Sequence, residues 1–248
     1  TENSGVSAAR NTAIAATTGE LVALLDADDI WHSDKLKLQL PLFSNPNVGV
    51  VYSGVERFDG DGIIQSRSVR RLRREEMLWS LMQRSPIATS SAVVRRECFR
   101  KVGMFPIQFH QSEDYHLWLR IAAAGFAFDC VNQPLVRYRT GHDSAMATAQ
   151  IGERFRAKAR VLEDVMRVPS CRAVYSTAML RTAFAANRAK RAALYYENNY
   201  RCRAVVDSLR SLSHRPFGVL EGMAWRVLVK SLLPSWVVRV FKGLHHGA

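Results

Sequence analysis

Several features are missing from this sequence, and each absence narrows its class. The four cysteines, Cys98, Cys130, Cys171 and Cys202, lie far apart, with no CxxC pair and no metal-ligand spacing. They read as reduced structural thiols of a cytosolic protein. No secretory leader is visible at the N-terminus. The longest uncharged run near the C-terminus, Ser231 to Val238, is far short of the roughly 20 apolar residues that a spanning helix needs, so a chain that does not cross the membrane is expected. There is no internal repeat. No aromatic residue interleaves the arginines of 67–74 and no recognised binding motif is present, which makes nucleic acid a poor partner.

What is present is a composition able to fold. Hydrophobic residues make up 48% of 248, enough to bury a core in one large domain or in a medium one with an appendage. The formal charge of +13 is unevenly placed. Residues 1–149 hold 17 Lys+Arg against 16 Asp+Glu, whereas residues 150–248 hold 18 against 6. Basicity therefore belongs to the C-terminal segment, and so does any anionic surface the protein meets.

The most informative stretch is Leu21–Asp29, five apolar residues followed by three carboxylates in four positions. The run from Leu21 to Asp26 predicts a strand buried on both faces. Its carboxyl end is where open α/β sheets place their ligands. Carboxylates this close repel unless a positive group lies between them, and Mg²⁺ or Mn²⁺ with oxygen ligands is the natural candidate.

Along the chain, helices are predicted over Ser7–Thr18, over Ser33–Phe43 with Leu36, Leu40 and Phe43 inward and Lys35, Lys37 and Gln39 outward, and over Glu75–Gln83, Arg95–Lys101 and Ser112–Ala124. Strands are predicted at Val48–Ser53, at Val55–Phe58 returning by a hairpin through Ile63-Ile64, and at Ala88–Val94, Phe126–Cys130 and Leu135–Arg139. This alternation argues for an α/β layer structure. From Ile151 the pattern is helical, with candidates at 151–167, 171–189, 192–211 and 217–242, the last interrupted at Pro234. Two regions follow, 1–147 and 148–248.

Asn3-Ser4-Gly5-Val6-Ser7-Ala8-Ala9-Arg10-Asn11, Gly19-Glu20 and Leu25-Asp26-Ala27-Asp28-Asp29 resemble, in order, the middle of a family 2 glycosyltransferase domain. Ser90-Ser91, Val94-Arg95-Arg96, Val102-Gly103-Met104-Phe105 and Glu113-Asp114-Tyr115-His116-Leu117-Trp118-Leu119-Arg120 continue the resemblance to about residue 145. It implies a GT-A fold, a mixed sheet flanked by helices, here without the family's opening strand–helix–strand unit that holds the nucleotide base. It also implies an inverting, metal-dependent transfer of sugar from a nucleotide-sugar, in particular a UDP-sugar, to a glycan or lipid-linked acceptor hydroxyl in cell-surface polysaccharide synthesis. The implied location is cytoplasmic, peripheral at the inner face of the membrane.

The resemblance implies roles residue by residue. Asp26 and Asp28 match the DxD motif, with Asp28 on the metal, Asp26 on the ribose or the metal shell, and Asp29 beside them at the donor. A divalent cation bridging the diphosphate would neutralise charge as the glycosidic bond breaks. Asp114 matches the catalytic base, with Glu113 orienting the site or the acceptor, and Arg10 faces the diphosphate. Blander readings stand beside these. DADD is also an acidic turn, Ser112-Glu113-Asp114 an ordinary helix start with Ser112 as N-cap, and Arg10 a solvated helix arginine. Trp31 and Asp34 match positions that shape the loop. His142 and Ser144 fall where related enzymes carry a mobile loop, with His142 a metal or phosphate contact or simply an exposed loop histidine.

Arg67, Arg70, Arg71, Arg73 and Arg74 read as an exposed connection, or as a contact to an anionic acceptor. Val219–Leu244 mixes Trp225, Leu228, Trp236 and Phe241 with Arg226, Lys230, Arg239 and Lys242. That pattern suits a helix lying in an anionic membrane interface or one packing back on the catalytic domain. The alternative to the enzyme is a catalytically inactive, truncated remnant that binds a membrane or partner through its basic helices.

Overall fold

The computed structural model describes residues 5–59, 62–83, 85–140, 153–198, 200–214 and 219–232. Two compact units emerge, residues 1–149 with 160–176, and residues 150–159 with 177–248. In the first, α1 (Gly5–Ala16) leads to β1 (Leu21–Ala23), the short β2 (Ile30–Trp31) and α2 (Lys35–Gln39), which continues as a 3-10 turn over Leu40–Ser44. The hairpin β3 (Val48–Asp59) and β4 (Gly62–Arg67) follows, then α3 (Arg74–Gln83), a 3-10 turn at Thr89–Ser91, and β5 (Val93–Arg95). Next come α4 (Arg96–Val102), α5 (Glu113–Ala123) and β6 (Ala127–Arg139).

The sheet runs β1-β5-β3-β6-β2, with β4 also on β3. It is mixed: β3 and β6 are parallel, and the other pairs are antiparallel. The apolar run at the start of β3 explains its central place, since Val48, Val50, Val51 and Tyr52 are all buried. On α5, Leu117, Trp118 and Ile121 have no exposed surface. Gly103 and Gly125 end α4 and α5 with φ of 82° and 97°, a region glycine enters without steric cost.

Three sequence expectations need correction here. The strand predicted over Leu21–Asp26 is only Leu21–Ala23, and it is not buried on both faces, for Ala23 is exposed and Leu25 is 49% exposed. The reason is its place at the sheet's edge, with β5 its only strand partner among the described residues. Second, the separate strands at 48–53 and 55–58 are one, and so are those at 126–130 and 135–139. Pro134 is accommodated inside β6 opposite Gly54, where the β3–β6 register shifts and the ladder does not require its missing N–H.

Third, the face predicted for 33–43 holds only in part: Phe43 is buried, Leu36 packs on the core and Lys37 is exposed as expected, but Lys35, Gln39 and Leu40 are reversed. Lys35 and Gln39, four residues apart, are buried, whereas Leu40 is 43% exposed. Gln39 Nε2 donates to the Ser91 carbonyl at 2.9 Å and to the Val51 carbonyl at 3.3 Å. Lys35 Nζ lies 4.3 Å from the centre of the Trp31 ring and has no hydrogen-bond partner. A polar–apolar pattern cannot anticipate this, because the stem of a lysine and the amide of a glutamine go inward when backbone carbonyls or a π-face receive them.

The second unit is helical. It takes the start of α6 (Glu153–Val165), then α8 (Thr177–Glu197), α9 (Arg201–His214) and α10 (Val219–Leu232), whereas the end of α6 and α7 (Pro169–Val174) belong to the first unit. The break predicted between 189 and 192 does not occur, since Ala189, Ala192 and Tyr195 continue one buried face. Ala189, Ala192, Ala204 and Ala224 lie at the contacts of α8, α9 and α10, and small side chains there let the helices approach. α10 buries Ala224, Val227 and Leu228, while Trp225, Val229 and Leu232 are exposed. The rest of the predicted interfacial segment, 233–244, lies outside the described residues. Among the described residues no helix is long and apolar enough to cross a membrane.

Burial lowers the Lys35 pKa to about 7. The folded chain therefore holds fewer protons than the unfolded one between about pH 7 and about 10, and stability rises with pH across that window. Urea denaturation should show this rise, and Lys35→Met should flatten it. A slope unchanged in the variant would contradict the assignment.

Candidate active site

Helix α1 packs against the loop after α4 through a reciprocal clamp. Asn11 Nδ2 donates to the Phe105 carbonyl at 2.8 Å, and the Phe105 N–H donates to Asn11 Oδ1 at 2.9 Å. This holds Arg10, one residue earlier, over the Phe105 ring at 5.3 Å. From there its guanidinium reaches two carboxylates. One nitrogen bonds Asp26 at the end of the β1 segment, and the other donates to Glu113 Oε1 on α5 at 2.6 Å. Burial works against the Arg10 charge, but Asp26 and Glu113 outweigh it, and the pKa lies above the usual guanidinium value. The solvated-arginine reading does not survive, since the side chain is only 14% exposed.

The acidic loop is fixed from a second side by the 3-10 turn. The Asp26 N–H donates to Ser90 Oγ at 3.0 Å, and Trp31 Nε1 donates to the Ser90 carbonyl at 2.8 Å. Asp29 is buried; its Oδ1 accepts the Arg139 N–H at 3.1 Å, and its Oδ2 has no hydrogen-bond partner. Burial raises the Asp29 pKa against the pull of Ser90 and of the Arg139 N–H, with smaller pushes the same way as burial from Asp28 and Asp26. Asp28 is exposed, and Arg139 Nε donates to its backbone carbonyl at 3.3 Å. Asp34 is exposed too, before α2, and makes no side-chain cap. Tyr138 feels the same three carboxylates, which, after burial, raise its pKa.

At the start of α5, Ser112 adopts φ of 64°, the only left-handed non-glycine backbone among the described residues. It does not cap the helix with its side chain, contrary to expectation. Asp114, inside the first turn, accepts the Tyr115 N–H at Oδ1 (2.6 Å) while Thr89 Oγ1 donates to its Oδ2 at 3.1 Å. Burial and the neighbouring Glu113 charge push the Asp114 pKa up to about 6, against the pull of those two hydrogen bonds and of Arg10. Strain of this kind in an otherwise regular fold collects at functional sites.

The structure thus brings Arg10, Asp26 and Glu113 into one network, with Asp114 beside Glu113 and Asp28 and Asp29 in the same loop as Asp26. His142 and Ser144 lie outside the described residues. The arginines of 67–74 are elsewhere on the first unit. Arg71 pairs with Asp129 at 3.1 Å, Arg70 with Glu76 at 3.4 Å, and Arg74 donates to the Gly125 carbonyl at 2.9 Å. All five are exposed and 68–73 link β4 to α3, as the reading of an exposed connection expected, and three of them add surface ties to the first unit. Thr89, Ser90 and Arg139 were missed as site residues. The available signal was the small polar run Thr89-Ser90-Ser91 inside an apolar segment.

No group of three or more His, Cys, Asp or Glu poised for a metal ion occurs among the described residues. The donor set nevertheless suits a hard cation, for Mg²⁺ in phosphate-transfer sites is commonly held by one or two carboxylates plus substrate phosphates. An unpartnered, buried carboxylate oxygen on Asp29 beside Asp26 and Asp28 is what such a cation would satisfy.

Residues 1–103 match the family model described as Glycosyl transferase family 2. Among curated relatives, the chain is 29% identical over 118 residues to the UDP-Glc:alpha-D-GlcNAc-diphosphoundecaprenol beta-1,3-glucosyltransferase WfgD of Escherichia coli, covering 47% of this chain and 44% of that protein. It is 30% identical over 137 residues to the amylovoran biosynthesis glycosyltransferase AmsB of Erwinia amylovora, covering 52% and 45%. With the putative teichuronic acid biosynthesis glycosyltransferase TuaG of Bacillus subtilis the identity is 28% over 144 residues, covering 58% and 56%. The chain spans about half the length of these relatives. A structure of S. aureus TarS matches 93% of this chain and 42% of its own with a TM-score of 0.55 at 13% identity. A second, TarS 1–349 with UDP-GlcNAc, matches 90% and 72% at a TM-score of 0.52 and 13% identity. The mixed sheet with flanking helices is the GT-A fold.

Removing the Arg10 charge removes one of the influences that lower the Asp114 pKa. Carbon-detected NMR titration of the carboxyls should place the Asp114 midpoint near 6 and move it upward in Arg10→Met. A midpoint that stays put or falls would contradict the proximity of the two groups.

Proposed function

We propose, on the premise that its first 103 residues belong to glycosyl transferase family 2, that this chain carries the diphosphate-binding and base side of an inverting sugar-transfer site. The observation that carries the reading is the Arg10 bridge from Asp26 to Glu113, which joins the acidic loop to the helix start that bears Asp114. The donor is a nucleotide-sugar. UDP is favoured because UDP-Glc appears in the name of the Escherichia coli relative and UDP-GlcNAc in one TarS complex. The acceptor is a hydroxyl on a glycan or lipid-linked saccharide, in keeping with relatives named for amylovoran and teichuronic acid synthesis.

Asp28, with Asp26, would hold Mg²⁺ or Mn²⁺ against the donor diphosphate. When bound, such a cation supplies charge neutralisation for the departing nucleoside diphosphate. Arg10 keeps Asp26 and Glu113 from repelling each other and fixes the acidic loop at a set distance from α5. Asp114 takes the proton of the acceptor hydroxyl as that oxygen bonds to the anomeric carbon. The bond from that carbon to the phosphate oxygen breaks on the opposite face, its electron pair leaving with the diphosphate. A carboxylate titrating near 6 suits this work, being ionised at neutral pH yet more basic than an ordinary aspartate. Thr89 orients it through Oδ2.

In a protein with measurable transfer, Asp114→Asn should lower kcat by about 100-fold or more, the scale of general base catalysis. Calorimetric binding of UDP in Mn²⁺ should stay within about threefold of the parent, since ground-state donor contacts are untouched. Turnover preserved in Asp114→Asn would remove the base from the scheme. Absence of any Mn²⁺-dependent UDP heat with the parent chain would count against the donor site.

A further inference from the structure

The helical unit carries an open surface hollow, called a cavity below, that the transfer chemistry does not use. Helices α6, α8 and α9 line a space of about 320 Å³ whose walls include Arg156, Arg191, Tyr195, Arg203, Asp207 and Arg210. That volume falls in the range of small-ligand sites, roughly 300–1,000 Å³. Four arginines face a single carboxylate there, and that carboxylate is already committed. Asp207 is 3% exposed, and both of its oxygens accept from Arg191, each at 2.6 Å. The pair builds the wall and cancels its own charge. Arg156 is tied to Glu153.

Arg203 and Arg210 remain. Neither makes an ion pair among the described residues, and both are exposed. Arg203, Asp207 and Arg210 are spaced four and then three residues apart, so they share one face of α9. The Arg203 guanidinium lies 5.8 Å from the Tyr195 ring centre and 5.4 Å from that of Tyr200, and these two rings meet edge-on at 6.2 Å. A guanidinium held by its face keeps its in-plane N–H donors available, in the fork geometry that matches phosphate oxygens. Arg203 held on two rings and Arg210 one helix turn beyond Asp207 both stand beside an ion pair that cancels its own charge. They suit a multiply charged anion.

We propose that this cavity binds a phosphoryl group, carried either by a soluble diphosphate or by a lipid headgroup. The site draws on no residue of the first unit and stands or falls separately from the transfer reaction.

The test uses the full chain in EDTA, so that no metal-dependent donor binding contributes. Inorganic pyrophosphate is titrated by calorimetry, and co-sedimentation is measured with phosphatidylcholine vesicles with and without phosphatidic acid. Arg203→Gln/Arg210→Gln is compared with Arg100→Gln/Arg172→Gln, which removes the same charge from exposed positions outside the cavity. Circular dichroism checks that both variants fold. Removing charge-assisted hydrogen bonds should weaken binding by about tenfold or more in the cavity variant and by far less in the control. Loss confined to pyrophosphate identifies a soluble ligand, and loss confined to phosphatidic acid vesicles identifies a headgroup; either supports the site. Failure of the parent to bind both probes, or equal weakening in the two variants, overturns it.

Discussion

The candidate site depends on one buried guanidinium between two carboxylates. Arg10 is 14% exposed, and its partners Asp26 and Glu113 are 30% and 10% exposed. They come from three separate elements, the first helix, the loop after an edge strand, and the start of α5. Without the cation, Glu113 would be a buried charge left uncompensated, a situation that costs about 3–5 kcal/mol. The same cation tempers Asp114, whose pKa is otherwise raised by burial and by Glu113. Position, charge balance and proton affinity at this end of the sheet therefore share a cause.

The 3-10 turn Thr89–Ser91 is the second fixed point. Ser90 receives the Asp26 N–H and the Trp31 indole, and Thr89 reaches Asp114. Turn and guanidinium together hold the acidic loop at its backbone and at its carboxylate, which is the kind of support that preorganised sites require. Asp29 is the exception in an otherwise satisfied network, with one buried oxygen lacking a partner.

Much of this was legible in the sequence where the information is local. The acidic triplet at a strand end, the central apolar run at Val48 and the inward face of α5 are patterns of a few residues. Non-local facts were not legible. Arg10 and Glu113 are 103 residues apart, and nothing in periodicity says that one helix arginine will find both carboxylates. Lys35 and Gln39 go inward because Trp31, Val51 and Ser91 receive them, a tertiary decision that overrides the polar pattern. Leu21–Asp26 looked buried on both faces because its apolar run is continuous, yet burial follows the number of neighbouring strands, and β1 is at an edge. The helical unit follows the same logic. Its small-residue contacts prolong α8 through Glu197 where a break was expected, while its arginines acquire meaning only when three helices place them around one cavity.

The dependence of Asp26 and Glu113 on a single partner can be measured directly by a double-mutant cycle on stability. Asp26→Asn, Glu113→Gln and the double variant are compared by urea denaturation. Sharing Arg10 predicts a coupling of about 0.5–3 kcal/mol between the two sites. Effects that add to within about 0.5 kcal/mol would mean that the acidic loop and the α5 start are independent, and would contradict a single site.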